Sequence, residues 1–318
     1  MNLRLNIAAL AFGALLVSGC RPVLAPVVPS TEPAAEAQPT TEPAAEVEAQ
    51  PITISFAMKA GDQDAHCGET VEGLGTTGSP VTFNDLRFYV ANLHLINNEG
   101  EVFPVTLEQD GLWQTENVAL LDFEDASAGC ADSGTPETNT TVRATIPSAT
   151  YVCPECAPVA IVFDLGVPFA LNHQDVTVAA SPLNLPPMWW NWQGGYKFVR
   201  IDMKTDAAST DGAWFIHLGS TGCKAADQAT PPTEPCARPN VATVRLDGYD
   251  PSKSVIVADI ASLLADVNLS ESTPQPAGCM SGPDDPDCAN LMPAFGLDPA
   301  AGVCAEAGCP AQKFFRIE

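Results

Sequence analysis

The first nineteen residues set the conditions under which the rest of the chain folds. One basic residue, Arg4, precedes an apolar core from Ile7 to Val17, and small residues follow. That is a secretory signal, too short to span a bilayer. It ends in Val17-Ser18-Gly19-Cys20, the form of a bacterial lipobox. Cleavage before Cys20 leaves that residue as the new N-terminus with lipid on its sulfur, and Arg21 rather than Asp behind it favours the outer membrane. The chain is therefore expected in the periplasm, held to a membrane by its lipid anchor only. Ten further cysteines follow: Cys67, Cys130, Cys153, Cys156, Cys223, Cys236, Cys279, Cys288, Cys304 and Cys309. An even number in an oxidising compartment implies disulfides. Close spacing suggests Cys223–Cys236, Cys279–Cys288 and Cys304–Cys309 as local staples, with Cys67–Cys130 as a long-range bridge, although spacing alone does not fix connectivity. Cys153-Pro-Glu-Cys156 is a C-x-x-C. A redox-active dithiol sits at a helix N-terminus that lowers a thiol pKa. Here Pro158 and the β-prone Val159 to Phe163 follow instead, so a structural staple is expected and a thiol oxidoreductase is the alternative.

Three segments follow from composition: the signal over 1–19, a tether over 20–51 and a folded domain over 52–318. The tether is rich in Pro, Ala, Glu and Thr and repeats TEPAAE at Thr31 to Glu36 and Thr41 to Glu46. It has no hydrophobic period, so an extended solvated spacer is expected. The domain reads as short β-branched and aromatic runs bounded by Gly, Pro, Asn and Asp. Strands are expected at Ile52 to Met58, Leu86 to Ile96, Val118 to Phe123, Val159 to Leu165, Tyr196 to Met203, Trp214 to Leu218 and Val241 to Leu246. One helix is expected around Ala258 to Asp266, where Ile260, Leu263 and Leu264 share a face. This pattern predicts an all-β fold: a single β-sandwich or barrel-like domain with long disulfide-stapled loops and one short helix. The formal net charge of −25 argues against nucleic acid as a partner, because phosphate binding needs a basic stripe.

Chemistry must come from a short list. The four histidines are His66, His94, His173 and His217. A lone strand histidine is ordinarily a packed or surface residue. His173 in LNHQD and His217 in WFIHLGSTGC differ, because each lies where an apolar stretch gives way to Gly or Asn, at the rim of a sheet where rigid strands can aim a ligand. The segment Met188 to Tyr196 holds three of the five tryptophans. If it is extended, Trp190 and Trp192 project to one face. Core packing and a carbohydrate-binding platform are the other readings of this cluster. There is no G-x-S-x-G elbow, P-loop, H-E-x-x-H or C-x-x-C-H. Asp284-Asp285-Pro286-Asp287 lacks EF-hand spacing and reads as a solvated loop.

The strings DLRFYVANLHL, DGLWQ, VALLDFED, GTPETNT, FDLGVPFALNH, WNWQGGYKFVRID, HLGSTGC and CMSGPDDPDC occur in this order. Together they resemble the MbnP family, the metallo-mystery pair four-Cys proteins, from about Ile52 to Glu318. The four named cysteines match Cys223, Cys236, Cys279 and Cys288. The resemblance implies a copper-binding protein, not itself an enzyme, paired with an MbnH-type di-haem peroxidase-like partner. It also implies that the partner oxidises a tryptophan to kynurenine and that copper binding depends on this change. Trp190 and Trp192 both match that role. His173 and His217 match the ligand motifs best, with His94 and His66 as further candidates. The pairs Cys153/Cys156 and Cys304/Cys309 depart from the four-Cys pattern and look like extra staples. The implied chemistry is coherent: indole N–H is a donor without an available lone pair, and ring opening exposes an aryl amine nitrogen that suits copper beside imidazoles.

The lipid anchor is testable directly. Wild-type protein is expected to take up labelled fatty acid and sediment with membranes, and Cys20→Ser to appear soluble and unlabelled. A membrane-bound wild type that carries no label contradicts this reading.

Overall fold

The structure is a computed structural model that describes residues 49–130, 137–147, 157–273, 276–304, 309 and 311–318. Cys20, Cys153 and Cys156 lie outside the described residues. Residues Glu46–Glu318 cluster as one compact unit, and among the described residues no helix is long and apolar enough to cross a membrane.

The fold is an all-β sandwich whose two sheets do not close into a barrel. One sheet runs in the order Phe315–Ile317, Val255–Asp259, Ala49–Ala60, Thr141–Pro147, Thr106–Leu107. The other runs Ala242–Asp247, Pro158–Leu165, Ser79–Asn97, Val199–Lys204, Ala213–Leu218, Gly278–Cys279. The strand Ala49–Ala60 starts earlier than expected, so Ala49 to Pro51 belong to the sheet and pair with Thr145 to Pro147. The expected helix forms over Ile260–Leu264. Ala258 and Asp259 instead finish a strand that pairs parallel with Met58 and Lys59. The Asp259 carboxylate then caps the helix by accepting from the Ala261 and Ser262 amides, which satisfies donors that the first turn leaves unpaired.

The core lies between the sheets and is largely aromatic. Phe56 from the first sheet meets Phe88 and Phe163 from the second, each with ring centroids 6.0 Å apart. Phe315 closes on Phe163 at 5.1 Å and on Phe88 at 5.5 Å, edge to face. Such pairs contribute about 0.5–1.5 kcal/mol each beyond the area they bury.

The second sheet is buried on its outer face as well, and this positions the site. A register irregularity between Asp202 and Met203, opposite Asp85 and Phe83, resets the alternation of the long strand Ser79–Asn97. Leu86, Phe88 and Val90 then face one way and Asp85, Arg87 and Tyr89 the other, yet all six are buried. The segment from Gly166 to Lys197 covers that outer face. Tyr89 donates from its hydroxyl to the Pro182 carbonyl at 3.0 Å and packs edge-on against Tyr196 at 5.9 Å. Arg87 is fully buried and pairs with Asp85 through Nε at 2.9 Å and through a second, short contact. Glu124 approaches its other side at 3.6 Å.

Four disulfides are present among the described residues: Cys67–Cys130, Cys223–Cys236, Cys279–Cys288 and Cys304–Cys309. They tie loops that have little regular structure of their own. Cross-linking a loop lowers the entropy of the unfolded chain.

Arg87→Leu strips the buried carboxylates of Asp85 and Glu124 of a counter-charge. It is expected to cost roughly 3–5 kcal/mol of unfolding free energy in a denaturant titration. A loss near zero contradicts the structural role given to this pair.

Candidate metal centre

His217 lies in the strand Ala213–Leu218, opposite Arg200, which is itself opposite Arg87 on the long strand. The three side chains therefore sit in register across three strands, with Asp85 and Asp202 one pair further along. The result is a buried ionic row. Arg200 reaches Asp202 through Nη2 at 2.6 Å and Asp85 through Nε at 3.2 Å. His217 donates from Nε2 to Asp202 Oδ1 at 2.6 Å. Burial pushes the Asp202 carboxyl up, but the hydrogen bond and charge of His217 and the charge of Arg200 outweigh it and hold it at about 2. Burial lowers the His217 pKa despite the opposing pull of Asp202. Burial thus favours the neutral ring, in which the contact with Asp202 places the proton on Nε2. Its Nδ1 lone pair has no partner among the described residues. An imidazole oriented by a carboxylate in this way is the arrangement used for metal ligands.

His173 follows the single-turn helix Phe169–Asn172. It is buried, and desolvation lowers its pKa although the carbonyl of Trp192 opposes this. Nδ1 donates to that carbonyl at 3.1 Å, which leaves the lone pair of the neutral ring on Nε2. Nε2 meets the Asn172 amide nitrogen at 3.3 Å and Cys236 Sγ at 3.6 Å. Asn172 also donates to Ser220 Oγ at 3.2 Å. One buried amide thus links His173 to Ser220, three residues after His217 in the loop that follows its strand.

The tryptophan segment meets His173 through the Trp192 carbonyl and reaches Gly219, two residues past His217, in a form that local spacing does not predict. It is a tight hairpin, Trp189–Asn191 paired with Gly195–Tyr196, and Trp192 to Gly194 make the turn. Trp190 and Trp192 therefore do not share a face: the two-residue period ends where the chain turns. The Trp192 ring packs edge-on against Trp189 at 5.9 Å. The Trp190 ring lies over Gly219, where a Cβ would stand 2.5 Å from Cζ3 and 2.7 Å from the Tyr196 carbonyl oxygen. Gly195 has φ +75° and abuts Asn172, so a side chain there is excluded twice over. Three perpendicular or separated rings do not make the flat platform that sugar binding by this cluster would need. The indole Nε1 of Trp189 is buried with no hydrogen-bond partner among the described residues. Lys197 Nζ and Arg200 Nη1 both donate to the Pro187 carbonyl, at 2.7 Å and 3.1 Å, and clamp the entry to the hairpin. Burial, aided by the nearby Arg200 charge, lowers the Lys197 pKa to about 8.

The other two histidines are not brought here. His94 is half-buried on the long strand, with Nδ1 facing the Asn92 carbonyl at 3.2 Å and partners at Val162 and Pro104. It is seven residues beyond Arg87, on the order of 20 Å along an extended strand. His66 is exposed in the turn before Cys67. Asp85, Arg87, Arg200 and Asp202 were not singled out from sequence. The one available signal was a charged residue at alternate positions in two otherwise apolar strands.

Among the described residues, three groups of His, Cys and carboxylate side chains have the compactness of metal sites: His173/Cys223/Cys236, Cys67/Glu124/Cys130 and Cys279/Asp285/Cys288. In each the sulfurs are joined in a disulfide, so they offer no thiolate. As folded, each group keeps one donor: an imidazole nitrogen of His173 in the first, and a single carboxylate, Glu124 or Asp285, in the other two.

The packing of Trp190 on Gly219 is testable. Gly219→Ala is expected to cost roughly 1–3 kcal/mol, by analogy with overpacked cores, and to shift tryptophan emission as the ring is displaced. An unchanged spectrum with unchanged stability contradicts that packing.

The profile of the MbnP family matches residues 49–281. Among solved structures, MbnP from Methylosinus trichosporium superposes with a TM-score of 0.74 at 32% identity, over 85% of this chain and 99% of that one. Comparison with curated proteins gives no match. The matched span contains the buried ionic row, both buried histidines and the tryptophan hairpin, and with the agreement in sequence and in fold it establishes that the chain belongs to the MbnP family.

Proposed function

We propose that this protein binds copper in the periplasm, anchored by lipid at Cys20, at a site built from His173, His217 and an oxidised tryptophan. The supporting observation is the pair of buried, oriented imidazoles, whose burial favours the uncharged form. Each has one ring nitrogen held by a fixed acceptor, His173 Nδ1 by the Trp192 carbonyl and His217 Nε2 by Asp202, and the Trp190 ring of the same hairpin lies over Gly219, two residues past His217. Copper accepts imidazole nitrogen at low coordination number, and a shell that excludes water steadies its redox state.

The unmodified hairpin lacks a third donor, because an indole N–H offers no lone pair. Opening the ring supplies one. Two molecules of peroxide, used by a di-haem peroxidase-like partner of the MbnH type, supply the four oxidising equivalents and the two oxygens inserted across the indole C2–C3 bond, and leave as two molecules of water. Hydrolysis then releases C2 as formate and frees the aryl amine. Of the two candidates, Trp190 is the better placed. Its ring lies over Gly219, two residues past His217, and lines an open cavity of about 410 Å³ that oxidant can enter. The Trp192 ring packs against Trp189. In this reading the protein is the modified substrate and the copper carrier, and it performs no catalysis of its own.

Within the protein, Asp202 is a positioning residue. It fixes the His217 proton on Nε2 and so presents Nδ1 as the ligand atom. The Trp192 carbonyl does the same for His173 with the two nitrogens exchanged, and Asn172, whose amide donates to Nε2, yields that contact when the site is loaded. Copper bound when the site is loaded supplies Lewis acidity and one-electron redox chemistry.

Peptide mass mapping of protein isolated with and without its partner and peroxide tests this. The expected result is kynurenine at Trp190, copper bound only by the modified form, and copper lost in His217→Ala and in Trp190→Phe. A partner-treated protein with intact tryptophans, or equal copper binding before and after oxidation, overturns the reading.

A further inference from the structure

The Cys223–Cys236 bridge is the one described disulfide with an imidazole against it. Its two sulfurs and His173 Nε2 all lie within 4.8 Å of one another. The Cys67–Cys130 and Cys279–Cys288 bridges have the carboxylates of Glu124 and Asp285 as neighbours instead. His173 is turned so that its lone pair is on the disulfide side, because Nδ1 is committed to the Trp192 carbonyl. The Nε2 to Cys236 Sγ distance is 3.6 Å. That spacing has a chemical meaning. Around a tetrahedral zinc, with metal–sulfur near 2.3 Å and metal–nitrogen near 2.0–2.1 Å, sulfur and nitrogen stand ~3.6 Å apart. The nitrogen and one sulfur thus already have ligand spacing, and only the sulfur–sulfur bond keeps the second sulfur from it. Cys223 is partly exposed and lines the open cavity beside Trp190 and Met280, while His173 and Cys236 are buried. The bridge can be attacked from solvent, and the nitrogen ligand behind it stays dry.

We propose that reduction of Cys223–Cys236 by a dithiol turns this corner into a second metal site, in which two thiolates and His173 Nε2 hold one d¹⁰ cation, Cu(I) or Zn(II). The reductant's two thiols supply two electrons and two protons. The Cys223–Cys236 bond breaks, the reductant leaves as its own disulfide, and both cysteines become thiols. Binding of the cation releases the two thiol protons to solvent. Asn172 gives up its contact with Nε2 and keeps Ser220 Oγ. Sulfur and imidazole ligands together select these soft and borderline ions over calcium or magnesium, and three protein ligands leave a fourth position open. The site shares His173 with the copper reading but needs no altered tryptophan. Metal capture at His173 is thereby set by the thiol state of the bridge.

The test uses the full processed protein made without a haem partner, so that its tryptophans are intact and the outcome is separate from that of the copper reading. The protein is reduced with a phosphine, freed of it, and titrated with Cd(II) while the cadmium–thiolate charge-transfer band is read. One tight equivalent is expected in reduced protein and none in oxidised protein. The band should survive in Cys67→Ser/Cys130→Ser and in Cys279→Ser/Cys288→Ser, and disappear in Cys223→Ser/Cys236→Ser. His173→Ala should weaken binding at least about tenfold, since one of three ligands is removed. His173→Gln, checked for native circular dichroism, should do the same if the alanine variant does not fold. Absence of the band in reduced wild type, its persistence without Cys223 and Cys236, or full affinity in a folded His173 variant overturns the proposal.

Discussion

Charged side chains on the outer face of the long strand Ser79–Asn97 have no access to water, and the rest of the site is organised around satisfying them. Arg87 and Asp85 are 0% and 1% exposed. A buried ion of either sign is tolerable only when it is paired and hydrogen-bonded. Burial raises the Asp85 pKa, against the pull of Arg87 and Arg200, so the cation must stay in place for the carboxylate to remain ionised. The row therefore extends across neighbouring strands through Arg200 and Asp202 to His217. The imidazole is its last member, and its orientation comes from this chain of charges rather than from apolar packing alone.

The same requirement holds the covering segment in place. Lys197 and Arg200 spend donors on the Pro187 carbonyl, and Tyr89 and Tyr196 donate to the Pro182 and Leu183 carbonyls. Hydrogen bonds to a few backbone carbonyls thus fix a long stretch with little regular structure. The tryptophan hairpin at its end is set by small residues. Gly219 admits the Trp190 ring and Gly195 admits Asn172, which brings the amide that touches His173 against the hairpin. Beyond it, the Cys223–Cys236 bridge closes the far side of His173. One histidine is thus governed by a carboxylate, the other by a carbonyl, an amide and a disulfide. This difference gives two rings of similar burial different chemical prospects.

Local pattern identified many of the parts. The strands near Leu86 to Ile96, Val118 to Phe123, Val159 to Leu165, Trp214 to Leu218 and Val241 to Leu246 were legible because β-branched and aromatic runs end at turn residues. Tyr196 to Met203 read as one strand but is two, because Tyr196 pairs with Trp189 while Val199 onward pairs with the long strand. Local pattern does not reveal the strand Val255 to Asp259, and it places Ala258 and Asp259 in the helix, because the strand's parallel partner is two hundred residues earlier in the chain. His173 and His217 stood out because each marks the end of an apolar run. His94, on the same kind of run, could not be separated from them by any local feature.

By itself the sequence determined the composition of the molecule: a short apolar N-terminal segment ending in a lipobox-like string, a β-rich chain, paired cysteines, two rim histidines, a tryptophan cluster and the motifs of the MbnP family. Only the tertiary structure decided which of these meet. Alternation along a strand predicts that Asp85 and Arg87 face water, but the covering segment buries them. A two-residue period puts Trp190 and Trp192 on one face, but the hairpin turn separates them. Nothing near Cys236 in sequence indicates an imidazole 3.6 Å away. The physical reason is common to all three: register between distant strands and the docking of a long loop are properties of contacts across the chain, while propensity and spacing act only over a few residues.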